Sequence, residues 1–199
     1  MQLESNQFLL VSNGNINIKG ESKMAKFSIN CSHTLSGKGT GASYKGFYES
    51  KITRAVGNEL IRLLKNDGHT VHNSTVNYAN TQNAYLKRSV EMVNIKDVDL
   101  AISLHCNASI LHKGNGIEIY TWNGKEHKEA KNILKEFESK GFNNRGIKKG
   151  NNLYFIKNTK PKSLLVELFF LDNEKDRDLY HSLGYKGMAK LLYNALASK

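Results

Sequence analysis

Four residues of this chain are of types that could do hydrolytic chemistry together: His33, Glu49, His105 and Glu167. Zinc takes neutral imidazole and carboxylate oxygen as ligands, and a catalytic zinc site keeps one further position for water. His33 follows the strand-like FSIN, in FSINCSHT. His105 ends the apolar stretch DLAISLH, and Glu49 opens a helical stretch behind a glycine loop. In open α/β sheets reactive groups gather at the carboxyl ends of the strands. Two histidines at such ends, with Glu49 as the carboxylate, make a candidate zinc set. Glu167 lies within SLLVELFF, where an unpaired charge is costly unless it is paired, neutralised or metal-bound. As a carboxylate that is not a ligand, it suits a proton shuttle between water and a leaving nitrogen.

Each residue also has a plainer reading. A lone histidine at a strand end is commonly a hydrogen-bonded structural group. An acid at a helix N-terminus stabilises the helix dipole by about 0.3–1 kcal/mol. Glu167 could sit in a buried salt bridge. Cys31, two residues before His33, would face the same way in extended chain and could replace Glu49 as a ligand. Buried reduced thiols are the default for Cys31 and Cys106, and a disulfide between them is chemically disfavoured in cytosol. His69, His72, His112, His127 and His181 receive no metal role. The loop Gly37–Gly41 lacks the spacing of a phosphate cradle and reads as a flexible rim of a groove. Trp122 and Tyr120 read as packing residues.

The elements that must position this set alternate. Strands are expected at 26–30, 69–74, 99–104, 116–120, 153–156 and 163–169. Helices are expected at 49–66, 82–94, 126–140, 174–181 and 185–197, the first on Ile52, Val56, Leu60, Leu63 and Leu64 at helical spacing. This pattern implies one α/β domain with a twisted, mostly parallel sheet flanked by helices on both faces. Residues 24–199 carry that domain. Residues 1–23 are polar and turn-rich and read as an extension, with translation starting at Met24, or as a flexible tail.

The chain has 199 residues, of which 39% are hydrophobic and 24% charged, with a formal net charge of +11. The length suits a single sizeable core. No apolar run approaches the roughly 18 residues of a membrane span, and the N-terminus has no signal-peptide pattern. Synthesis in the cytoplasm is therefore expected. Two cysteines are too few for a disulfide framework. The positive charge favours a polyanionic partner, whether nucleic acid, anionic membrane or an anionic polymer such as bacterial cell wall, and electrostatics alone leaves the choice open. No arginine-rich or aromatic-interleaved basic block points to nucleic acid.

The order FSINCSHT … YES … ISLHCNAS … NGIEIY … NRGIKKGNNLYFIKNTKPKSLLVELFFLDN resembles the zinc-dependent N-acetylmuramoyl-L-alanine amidases of the Amidase_3 type, and phage endolysin catalytic domains in particular. The resemblance implies His33, Glu49 and His105 as zinc ligands and Glu167 as the catalytic residue. It implies peptidoglycan as substrate, cleaved between the muramic acid lactyl group and L-alanine. It further implies that the enzyme reaches the wall by holin-type release or lysis. Asn107, Glu118 and Arg145 are weaker candidates for substrate binding, Arg145 toward a stem-peptide carboxylate. The alternatives are a non-catalytic cationic wall-binding module and a zinc peptidase acting on the stem peptide.

Overall fold

A computed structural model describes the backbone of residues 11–12, 15–16 and 24–197, and the side chains of 24–197. Val11–Ser12 and Asn15–Ile16 form a short antiparallel bridge. The expectations for the rest of residues 1–23 lie outside the described residues.

Six strands make the central sheet: β1 (Lys26–Cys31), β2 (Thr70–Asn73), β3 (Leu100–Asn107), β4 (Ile117–Thr121), β5 (Asn144–Lys149) and β6 (Lys162–Phe170). Their order is β5-β4-β6-β3-β1-β2. The β4–β6 pairing is antiparallel and the other four are parallel. Reversing β4 and β5 brings their first residues to the edge where β1, β3 and β6 end. That edge holds the candidate chemistry.

Strand alternation sorts the two faces. Ile29, Ile102, Leu104, Val166 and Ile119 point into the main core, which is covered by helices α1 (Glu49–Asn66), α3 (Lys128–Glu138) and α5 (Glu174–Ala197). Ile52, Val56, Leu60 and Leu64 form the buried stripe of α1, as helical spacing requires. Gly57 lets this helix close on the sheet, because a Cβ there would overlap the Cys31 Sγ. The opposite face carries Ala101 and Leu165 under α2 (Gln82–Asn94) and α4 (Tyr154–Asn158). α2 starts at Thr81, whose side chain accepts from the Ala84 N–H at 3.0 Å, a standard N-cap. α5 is broken at Gly184, with φ 62°, near the expected division between 174–181 and 185–197.

One expectation is corrected and one strand is added. Residues 153–156 are no strand: Tyr154–Asn158 is helical, and Phe155 and Ile156 are buried on the α2 side. A four-residue apolar run fits either element, and its tertiary packing decides. Conversely, Asn144–Lys149 is a strand that no apolar alternation announces. It is the polar edge of the sheet, where charged residues discourage pairing with other chains.

Candidate metal centre and substrate cleft

β1 ends at Cys31, and the chain leaves the strand direction at His33, whose φ is +63°. A left-handed backbone at a non-glycine residue costs roughly 1–3 kcal/mol and persists only where its surroundings fix it. They do so here. The Tyr85 hydroxyl accepts from the His33 N–H at 2.8 Å, and Arg54 Nη2 donates to the His33 carbonyl at 2.7 Å. Arg54 also donates to the carbonyls of Ser32, Ser50 and Val76 and to Asn77 Oδ1. Burial pushes the Tyr85 hydroxyl up to about 12, so it stays protonated.

The turn at His33 swings its imidazole toward α1. His33 Nε2 lies 3.2 Å from Glu49 Oε1, and His105 Nδ1 lies 3.1 Å from the same oxygen. One ligand atom from each of the three residues falls within 4.8 Å of the others. Glu49 is fixed independently. Its Oε2 accepts from the Ala42 N–H at 2.9 Å, and its own N–H donates to the Ala42 carbonyl at 3.0 Å. Oε1 accepts from the Cys106 N–H at 3.1 Å. Burial pushes the Glu49 carboxyl up, but His105 and His33 outweigh it and hold the group well below the usual range.

The donor set fits a divalent cation. His33 Nδ1 is 3.0 Å from the Gly39 carbonyl, which can only accept, so the proton of a neutral ring belongs on Nδ1. Nε2 then faces a carboxylate oxygen across 3.2 Å, a gap that a metal cation or a second ring proton would bridge. The backbone partner on the far nitrogen is the outer contact that fixes a metal-ligating histidine. Zinc is the natural occupant of two imidazoles and one carboxylate.

The glycine loop is therefore not a loose rim. Gly39 orients the His33 ring, and a Cβ on Gly41 would come within 2.7 Å of both Glu49 Oε2 and His33 Cγ. The cysteines are also settled. Cys31 and Cys106 are free and buried, their thiols pushed up by burial. Cys31 stands in register with Leu104 on the core face, and the turn at His33 defeats the extended-chain argument that would make it a ligand.

A transverse row joins the remaining candidates. Glu167 is in register with His105 on one side and with Glu118 on the other, so all three side chains share the α2 face. Glu167 Oε2 is buried and has no hydrogen-bond partner. No cation pairs with this carboxylate among the described residues, which removes the salt-bridge reading. Burial, then Glu49 and Glu118, push its carboxyl well above the usual range. Glu118 differs: its carboxylate accepts from Asn107 Nδ2 at 3.0 Å, Tyr120 OH at 2.8 Å, Arg145 Nε at 2.6 Å and Lys148 Nζ at 2.5 Å. Asn107, Glu118 and Arg145 thus form one network beside Glu167, and Lys148 is a member the sequence reading missed.

A cleft of about 260 Å³ opens beside the two histidines, lined by Asn30, Tyr85, Ser103, Tyr154 and Leu165 among others. Trp122 is 47% exposed and lies outside its lining.

Fold and site together define a class: an α/β enzyme domain with a place for a divalent cation at the carboxyl edge of its sheet. The chain belongs to the N-acetylmuramoyl-L-alanine amidase family of hydrolases, whose family pattern matches residues 28–198. It is similar to the catalytic domain of the CD27L endolysin targeting Clostridia difficile. The identity is 29% and the TM-score 0.79, covering 88% of this chain and 98% of that one. It is 28% identical over 182 residues to the N-acetylmuramoyl-L-alanine amidase CwlM of Bacillus licheniformis, covering 87% of this chain and 68% of CwlM. It is 27% identical to the uncharacterized protein CPE1502 of Clostridium perfringens, of which it spans about half the length, 52%.

Proposed function

We propose that this protein is a zinc-dependent amidase that hydrolyses the bond between the lactyl group of N-acetylmuramic acid and L-alanine in peptidoglycan. The observation that carries this reading is the juxtaposition of the His33–Glu49–His105 donor set with Glu167. That carboxylate is unpaired, partly buried and on the neighbouring strand position.

His33, Glu49 and His105 would hold the zinc, which when bound polarises a carbonyl and makes water a stronger acid. Glu167 serves as general base and then general acid. Its carboxylate accepts a proton from the attacking water and delivers it to the departing alanine nitrogen. A carboxyl pushed upward by its surroundings is suited to that alternation. The cleft bounded by Tyr85, Tyr154 and Leu165 would give the substrate a largely apolar flank.

We further propose a role in lysing the cell wall, supported by the likeness to an endolysin catalytic domain. The net charge of +11 would draw the protein to anionic wall polymers. Among the described residues no helix is long and apolar enough to cross a membrane.

The test is product analysis on isolated Gram-positive peptidoglycan by mass spectrometry, with chelated and zinc-restored protein in parallel. New L-alanine amino termini with intact glycan, lost on chelation and recovered with zinc, are expected. New amino termini elsewhere in the stem would instead identify a peptidase. Binding without cleavage would identify a wall-binding module.

A further inference from the structure

We propose that Arg145 and Lys148 form a carboxylate-binding subsite that makes the enzyme prefer a stem peptide whose second residue keeps its free α-carboxylate over one in which it is amidated. The inference rests on the amidase reading and names a specificity device within that site.

It begins with an irregularity in β5. Ile117 is in register with Asn144, and Ile119 with Ile147, so the single residue between them on β4, Glu118, faces two on β5, Arg145 and Gly146. In a regular strand residues 145 and 148 would point to opposite faces. The extra residue, with Gly146 at φ +81°, turns both side chains toward Glu118. Bulges that re-aim side chains are frequent beside active sites.

Charge and donors are in surplus. One buried carboxylate, Glu118 at 2% side-chain exposure, meets two cations, Arg145 at 31% and Lys148 at 35%, so Glu118 alone does not neutralise both. Arg145 uses Nε on Glu118 and its flat face on the Phe170 ring, 4.9 Å away. The Nη1–Nη2 edge remains, and its two parallel N–H groups match a carboxylate bidentately. Phe170 and Glu118 hold the guanidinium in one orientation, so little freedom is lost on binding.

The distance suits the second residue of the stem. β5 lies two strand spacings from Glu167, about 10 Å, and the Arg145 side chain reaches back across β4 to Glu118. A group two residues beyond the scissile amide is about 7 Å from it in extended chain. The ligand is therefore an organic carboxylate on the leaving peptide.

Two muramoyl tripeptides with an amidated C-terminus decide the matter, MurNAc-L-Ala-D-Glu-L-Lys-amide, whose glutamate is linked to lysine through its γ-carboxyl, and the same compound with the glutamate α-carboxyl amidated. Binding is measured by calorimetry and turnover by amine release, for the zinc-loaded wild type, Arg145→Gln and Lys148→Gln. The acid is expected to bind roughly 10–100-fold more tightly than the amide, with the preference shrinking in added salt and collapsing in Arg145→Gln. Equal affinity of the wild type for acid and amide overturns the subsite, and needs no variant to fold. A preference that survives both substitutions overturns it too. Preferential binding of the acid without turnover of either compound keeps the subsite and overturns the amidase reading. Turnover without preference does the reverse.

Discussion

Glu118 and Glu167 stand directly opposite one another on adjacent antiparallel strands, yet their surroundings push them in opposite directions. Burial pushes Glu118 up, but Arg145, Lys148 and Tyr120 outweigh it and the carboxyl ends below its usual range. Glu167 has no such partners and ends well above it. Paired carboxyls whose environments separate them in this way take different roles. Glu118 stays an anion at neutral pH and organises two cations, and Glu167 is left free to exchange a proton.

The ion network of Glu118 gives a pH-dependent contribution to stability. Its folded-state value is depressed, so the contribution is present above the usual carboxylate range and lost as pH falls through the folded value. The melting temperature of wild type minus that of Glu118→Gln should be positive at neutral pH and shrink toward zero in acid. Calorimetry across pH 3 to 8 (about the carboxylate range and above) checks this. A difference independent of pH would show that shape, and not charge, is what the substitution removes.

Gly41 and Gly46 separate backbone strain from interference with the ligands. Both have positive φ, near +83° and +84°, but a Cβ on Gly41 meets Glu49 and His33 whereas nothing lies within 4 Å of one on Gly46. Each alanine substitution should cost about 1–3 kcal/mol from strain. Only Gly41→Ala should also weaken zinc binding, by roughly 10–100-fold as outer contacts of metal ligands do. Competition with a chromophoric chelator reads the affinities. Equal affinities for the two variants would contradict the placement of the glycine loop against the site.

Arg54 supports the strained turn at His33 through five acceptors. A lysine keeps the charge but cannot reproduce the planar fork. Arg54→Lys should lower stability by about 2–4 kcal/mol, because several buried carbonyls lose their donor, and should weaken zinc binding as His33 relaxes. Denaturant unfolding and metal titration together test this. Unchanged zinc affinity in a destabilised protein would confine Arg54 to a structural role.

The residues that could do chemistry were legible because they stand at strand ends or open a helix, and the ends of the long elements are well punctuated. The bounds of α1 follow from its apolar stripe and the Asp67–Gly68 stop, with Gly68 at φ +86°. β5 was hidden, because an edge strand with a bulge carries no apolar alternation, and Lys148 was hidden with it. Arg54 and Tyr85 were invisible for another reason. They act on His33 across 21 and 52 residues of sequence, and local pattern holds no trace of such contacts. The left-handed turn at His33 likewise depends on those distant partners. Sequence spacing suggested instead an extended chain that would have aligned Cys31 with the site.

The central claim is that His33, Glu49 and His105 hold zinc while Glu167 moves the proton, and one paired measurement tests it. Zinc content and muramoyl-L-alanine cleavage are measured on the same samples of wild type and Glu167→Gln. One zinc per chain is expected in both proteins, with turnover in the variant reduced about 10²–10⁴-fold, the range of general acid–base catalysis. Loss of zinc from Glu167→Gln, or turnover close to wild type with zinc in place, would contradict it.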